Sequence, residues 1–245
     1  MKTGSNLGKS LEKEREADLA KVVDYYRSFK INNALLRNNN LFLVKEAHRL
    51  AFAIALLSSK LSTRKKFAKP YFSQLASDSI QVVSAMALGN VRAMKLLERA
   101  MIEDVLRYIY YSHHEIEHRL LQVEPNRYET VKALFEYALT HPFFRGDLEL
   151  KESFSALQSK YSELSREVHA SVTSKMIIVK DITSANRPVA HAETELKALK
   201  TVAQHMVFAL CYFHRDKYAK LSLDEKTVIA QLLNSKQKRE LSNLI

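Results

Sequence analysis

The hydrophobic residues of this chain recur at helical spacing through most of its length. They predict a helix over residues 41–60, around the apolar run LAFAIALL, and a second over 70–87, which begins at Pro70. Proline suits the first turn of a helix, because the N–H that it lacks would have no intrahelical partner there. The same spacing predicts helices over 91–112 and 125–140.

The rest of the pattern is also helical, with one ambiguous stretch. A charged helix is expected over 9–31, a long one over 147–174 and another over 191–216. Residues 222–225, SLDE, form a capping box that would open the terminal helix. Residues 176–182, MIIVKDI, are β-branched and short, and the pattern leaves open a strand or a buried loop there.

Composition supports the helical interpretation. The 245 residues are 47% hydrophobic, enough for a sizeable core, while glycine and proline number only four each. Sheet proteins use both residues in tight turns, so sandwiches, barrels and glycine-looped nucleotide folds are disfavoured. We therefore expect an all-α fold, with residues 1–8 disordered and residues 9–245 forming a single helical-bundle domain of about seven or eight helices.

The cysteine content and the lengths of the apolar runs indicate where in the cell the protein is expected. Cys211 is the only cysteine and its neighbours are apolar, which predicts a small buried residue rather than a reactive thiol. The N-terminal residues lack the apolar core of a signal peptide. The longest uncharged runs, 79–91 and 201–213, are too short to cross a bilayer. We expect a soluble, cytoplasmic protein that does not enter a membrane.

Positive charge is concentrated in one part of the chain. The formal net charge is +11, and residues 31–70 contain eight basic residues against one acid. Such an excess is typical of a surface that binds a polyanion; a solvated helix end, a membrane surface and an acidic protein are the alternatives. We call residues 60–69 the basic segment. Its candidate nucleic-acid-binding residues are Lys60, Arg64, Lys65, Lys66 and Lys69.

Polar side chains share one face of the helical segment VRAMKLLERAMIEDVLRYIYYSHHEIEH. At 100° per residue, Glu103, Arg107 and His114 form one stripe if the helix continues that far, and Tyr111 lies beside it. Arginine can hold a phosphate and histidine transfers protons near neutral pH, so these are candidate catalytic residues. The alternative is an ordinary i,i+4 ion pair between Glu103 and Arg107, with His113 and His114 in a solvated loop.

A second cluster lies in the segment KYSELSREVHASV. Ser165 and His169 are four residues apart, and Tyr161 precedes them on the same face. A seryl hydroxyl beside an imidazole suggests nucleophilic catalysis. No glycine-flanked elbow exposes Ser165, so a hydrogen bond that orients His169 is the favoured interpretation.

Metal ligands are dense only in the segment HHEIEH, residues 113–118. A surface zinc site there is one alternative, but the spacing is not that of HExxH. We expect no metal and no cofactor.

The two polar clusters together resemble the HEPN superfamily, small all-α domains of prokaryotic toxins, CRISPR nucleases and phage-defence proteins. The family signature is an arginine followed by a histidine after four to six residues, and Arg107 fits it with His113 or His114. The wider pattern is similar to that of HEPN-like proteins from bacterial defence loci. It reads Glu103-x(3)-Arg107-x(2)-Tyr110–Tyr111-x(2)-His114-x(2)-Glu117, then Tyr161-x(2)-Leu164–Ser165-x(3)-His169.

The resemblance implies a dimer in which two Arg–His pairs face each other over RNA. The ribose 2′-hydroxyl would attack the adjacent phosphate without a metal, with the histidine moving protons and Arg107 holding the phosphate. Tyr108 departs from the family, which usually places a polar residue directly after the arginine. Three functions therefore stay open. They are a toxin or defence endoribonuclease, a non-catalytic module that binds nucleic acid or a partner protein of the same defence system, and a plain helical scaffold.

Overall fold

The computed structural model of the chain describes residue 20 and residues 40–62, 65–124, 128–144, 146–168 and 190–243. Every regular element in these ranges is a helix, which confirms the all-α prediction. The helices are α1 (Asn40–Leu61), α2 (Lys69–Ala87), α3 (Val91–Tyr111), α4 (Glu115–Val123), α5 (Val131–Thr140), α6 (Leu148–Val168), α7 (Ala190–Phe213), α8 (Arg215–Tyr218), α9 (Leu223–Ala230) and α10 (Ser235–Asn243). These ten exceed the seven or eight expected.

Local sequence signals fix several helix ends. Gly89 adopts a φ of 67°, a left-handed conformation that glycine reaches without strain, and it separates α2 from α3. The side chain of Asn90 then accepts a hydrogen bond of 3.0 Å from the backbone N–H of Ala93, capping α3. The capping box is also confirmed, since Ser222 and Glu225 each bond the other's backbone N–H at the start of α9.

The core is built around α3. This helix packs against α2, α5, α6 and α7, while α1 packs against α2 and α7. Tyr108 of α3 is among the largest fully buried side chains, and the apolar end of α7 is buried beside it. Cys211 of α7 has no exposed surface, as its apolar neighbours predicted. The fold thus leaves one face of α3 for polar side chains.

The helix predicted over 91–112 ends at Tyr111, and a separate helix, α4, follows it. Both the backbone N–H and the Oγ of Ser112 donate to the Tyr108 carbonyl, and the N–H of His113 donates to the Tyr110 carbonyl three residues back. This tightening of the last turn ends the helix. His114 therefore precedes α4 instead of continuing the α3 stripe.

The chain also turns earlier than predicted near its C-terminus. The helix expected over 191–216 ends at Phe213, and His214 separates it from α8. The terminal helix expected to open at residue 222 ends at Ala230 and is followed by α10. Together with α4, the short helices α8 and α10 account for the higher count.

Several predictions fall outside the described residues. They are the disordered segment 1–8, the helix over 9–31 except for residue 20, the end of the long helix beyond Val168, the strand or loop over 176–182, and the side chains of Arg64 and His169. Among the helices that are described, none combines the length and the apolar character needed to cross a bilayer.

Candidate functional site

An open cleft of about 500 Å³ lies along the polar face of α3. Four α3 residues at i,i+4 spacing share this face, and they are joined by residues of α4 and α6 and by the segment that leads into α5. The lining residues are Arg99, Glu103, Arg107, Tyr111, Leu121, Tyr128, Glu129, Thr130, Val131 and Tyr161.

A hydrogen-bonded network on one wall of the cleft is centred on Glu103. Its Oε2 accepts from Nη2 of Arg107 at 2.6 Å, and its Oε1 accepts from the phenol of Tyr161 at 2.9 Å. Arg99 completes the network, because its Nε and Nη2 donate to the Tyr161 oxygen at 3.1 and 3.0 Å. The structure thus joins Glu103, Arg107 and Tyr111 of the first predicted cluster to Tyr161 of the second.

The Arg107 side chain is one-third exposed, whereas that of Glu103 is 15% exposed. The predicted i,i+4 ion pair is therefore present, and it leaves the guanidinium accessible from the cleft. Because arginine presents five N–H donors and Glu103 accepts from one nitrogen, Arg107 can also bind an anionic group.

His114 lies beyond the end of α3 and does not line the cleft. Its ring stacks on Tyr110, with centroids 4.0 Å apart and planes within 2°, and it meets the edge of Tyr137. Its Nδ1 lies 2.8 Å from the Tyr110 carbonyl oxygen. A carbonyl oxygen only accepts, so Nδ1 carries the hydrogen, and in the neutral ring Nε2 is the acceptor.

His113 is partly exposed to solvent and partly covered by other rings. Its Nδ1 lies 3.4 Å from Nε2 of His141, and its ring meets those of Phe143 and Phe213 edge-on. Burial and then the nearby charge of Lys65 lower the pKa of His113. The pKa of His141 is lowered to about 4, mainly by burial and then by the nearby charges of His113 and His114. These imidazoles are therefore neutral near pH 7.

Lys65 of the basic segment contacts the C-terminal end of α3. The ammonium of Lys65 donates a hydrogen bond to the carbonyl oxygen of Ser112, next to His113. Lys66 and Lys69 are exposed and form no salt bridge within the described part of the chain. We call the surface formed by Lys65, Lys66 and Lys69, together with the adjacent neutral ring of His113, the basic surface.

The basic surface does not include the other two predicted basic residues, Lys60 and Arg64. The ammonium of Lys60 pairs with Glu225 of α9 at 2.8 Å, so its charge is matched. Arg64 lies outside the described residues.

Ser165 does not reach the cleft. Its Oγ is buried and has no hydrogen-bond partner among the described residues. His169 lies outside those residues, so the hydrogen bond between Ser165 and His169 stays a prediction.

Two buried acids on α3 escaped the sequence analysis. Glu98 has no exposed surface and neither carboxyl oxygen has a partner in the described ranges; burial, then the charge of Glu195, raises its pKa to about 8. Burial and the charge of Asp78 raise the pKa of Asp104 to about 7. Helical spacing could have predicted the burial of Glu98, because this residue lies on the same face of α3 as the core residues Met94 and Met101.

Within the described ranges, no group of three or more His, Cys, Asp or Glu side chains is arranged to hold a metal ion. Comparison of the chain with models of protein families, with curated proteins and with solved structures found no match.

Proposed function

We propose that this protein binds RNA across the basic surface, as a HEPN-like module of a bacterial defence or toxin system. The observation that carries the proposal is the hydrogen bond from Lys65 to the Ser112 carbonyl. It joins two features that the sequence marked separately, the excess of positive charge over residues 31–70 and the histidines after Arg107.

The chemistry of the basic surface suits a nucleic acid. Exposed lysines attract a phosphate backbone and release its counterions on contact. Aromatic rings stand next to this charge: Phe143 is 46% exposed, meets the ring of His113, and has the guanidinium of Arg215 over its face. Exposed rings beside cations are the groups on which unpaired bases stack, so single-stranded RNA is the favoured form.

A second candidate function is metal-independent cleavage of RNA at a dimeric site. The observation that favours it is the Nδ1 hydrogen bond of His114, which leaves Nε2 as the proton acceptor that a general base needs. Arg107 would hold the phosphate, and Tyr110, the ring on which His114 stacks, lies one helical turn after Arg107. A homodimer or another protein of the same defence system would supply the second Arg–His pair.

RNA binding is tested with the full chain and a fluorescently labelled single-stranded RNA, by anisotropy at low and moderate salt. The variant Lys66→Ala/Lys69→Ala should weaken binding at least fivefold and reduce the slope of log affinity against log salt by about 1.4, because two phosphate contacts are lost. The matched control is Lys151→Ala/Lys238→Ala, which removes two exposed lysines from α6 and α10. The proposal fails if the wild type binds no RNA at low salt, or if both double variants weaken binding equally.

A further inference from the structure

We propose that the cleft along α3 binds a guanine nucleotide. Glu129 would pair with the edge of the base, Tyr128 would stack on its face, and Arg107 would hold the phosphate. The cleft is distinct from the basic surface and requires no contact with it.

The size and lining of the cleft indicate a small ligand with two different ends. A volume of about 500 Å³ lies in the range of pockets that enclose a ligand of nucleotide size. Its walls carry two arginines, two glutamates and three tyrosine rings. This mixture suits a molecule that is planar and hydrogen-bonding at one end and anionic at the other.

Glu129 is the residue that selects the base. It forms no hydrogen bond or ion pair with another described residue, although it lines the cleft. An ionised carboxylate offers two acceptor oxygens and no donor. Guanine presents two parallel donors, N1–H and N2–H, on its Watson–Crick edge. Adenine, cytosine and uracil each place an acceptor beside a donor there, so guanine alone matches both oxygens.

Tyr128 supplies the stacking face. Its side chain is 74% exposed, whereas most large aromatic side chains among the described residues are buried or half-buried. It directly precedes Glu129, and both residues line the cleft. A base that stacked on this ring would cover the exposed apolar surface while its edge remained open to the carboxylate.

Arg107 is held in place to receive the phosphate. Glu103 fixes the guanidinium through Nη2, and Glu103 is itself held by Tyr161 and Arg99. A guanidinium held from one side presents its remaining N–H groups in a fixed plane, which matches two phosphate oxygens. The network thus holds the anionic end of the site in a fixed position.

The inference is tested by isothermal titration calorimetry of the full chain with 5′-GMP, 5′-AMP and guanosine. GMP should bind at least tenfold more tightly than AMP. Glu129→Gln should remove this preference, because the amide replaces one acceptor with a donor. Arg107→Ala should weaken GMP binding while leaving guanosine binding unchanged. The control Glu136→Gln, on an exposed glutamate of α5, should bind like the wild type.

RNA oligonucleotides distinguish a free nucleotide from a residue within RNA. If the cleft binds guanosine only within RNA, GMP should show no binding. Oligouridine with one central guanosine should then bind more tightly than oligouridine alone, and Glu129→Gln should abolish the difference. If GMP binds while RNA does not, the cleft inference stands and the RNA proposal fails. If RNA binds equally with and without guanosine and GMP does not bind, the inference is overturned and the RNA proposal stands.

Discussion

The phenol of Tyr161 donates a hydrogen bond of 2.9 Å to Oε1 of Glu103, joining α6 to α3 across 58 residues of sequence. This contact makes one polar unit out of two clusters that the sequence shows separately. Glu103 also accepts from Arg107, so the side chain that faces the cleft is held by contacts from two helices. The arrangement predicts how each member of the network contributes to stability.

Replacing Arg107 should cost less stability than replacing Glu103. Arg107→Ala leaves Glu103 bonded to Tyr161 and close to Arg99, so we expect a loss of about 1 kcal/mol or less in the free energy of unfolding. Glu103→Ala removes the shared acceptor and leaves two arginines without it, for which about 2–3 kcal/mol is expected. Urea denaturation of both variants gives the order, and a larger loss for Arg107→Ala would contradict the shared-acceptor network.

The buried carboxyl of Glu98 should make the free energy of unfolding depend on pH. Its pKa is raised to about 8 in the folded state from 4.5, so its contribution to stability is greatest below pH 4.5 and is lost as the pH rises towards 8. Glu98→Gln removes the titrating group. The variant should gain stability over the wild type by about 1.4 kcal/mol per pH unit across this window. Chemical denaturation at pH 5, 6, 7 and 8 measures the gain, and a difference independent of pH would show that Glu98 is ionised throughout.

His141 should have the opposite effect, because its contribution to stability is lost as the pH falls. Its pKa is lowered to about 4, so below pH 6.5 the unfolded chain binds a proton that the folded chain does not. The stability that a neutral His141 provides is therefore present above pH 6.5 and is lost as the pH falls towards 4. Thermal melts should show that the midpoint of His141→Gln falls less steeply than that of the wild type over this range. Parallel curves would mean that His141 titrates normally.

The nuclease candidate makes a separate prediction for His114. If its Nε2 acts as the general base, His114→Ala should slow RNA cleavage in EDTA by about 10²–10⁴-fold while RNA affinity and the melting midpoint change little. His48→Ala, an exposed histidine of α1, is the matched control and should cleave normally. Light scattering should give twice the chain mass. Binding without any cleavage by the wild type would leave the binding function alone.

Much of the fold could be predicted from local patterns. α1 and α2 begin and end within one residue of the ranges that hydrophobic spacing and Pro70 indicated. α3 ends at Tyr111, within one residue of the predicted end at 112. The short helix α4 that follows was not predicted as a separate helix, because neither glycine nor proline stands between the two. The turn between them carries the hydrogen bond from Ser112 to Tyr108 and the contact from Lys65 of a distant segment.

The candidate site was only partly visible in the sequence. Helical phase placed Glu103 and Arg107 on one face, and the structure adds Arg99 one turn earlier. Tyr128 and Glu129 were predicted to belong to a helix over 125–140, and this was wrong, because α5 begins only at Val131. The helical phase predicted for them does not apply, so only the folded chain brings them to the cleft. Glu98 shows a different limit of sequence-based prediction. Its helical spacing from Met94 and Met101 predicts that it is buried, but not that its carboxylate has no hydrogen-bond partner among the described residues.

Photo-crosslinking tests most directly whether RNA lies over the basic surface at the end of α3. The full chain would be irradiated with a single-stranded RNA containing 4-thiouridine, and the crosslinked peptides identified by mass spectrometry. We predict crosslinks in the peptides that contain Lys65–Lys69, His113 and Phe143, reduced in Lys66→Ala/Lys69→Ala. Crosslinks confined to α6 and α10, or none above the level of an albumin control, would contradict RNA binding at the basic surface.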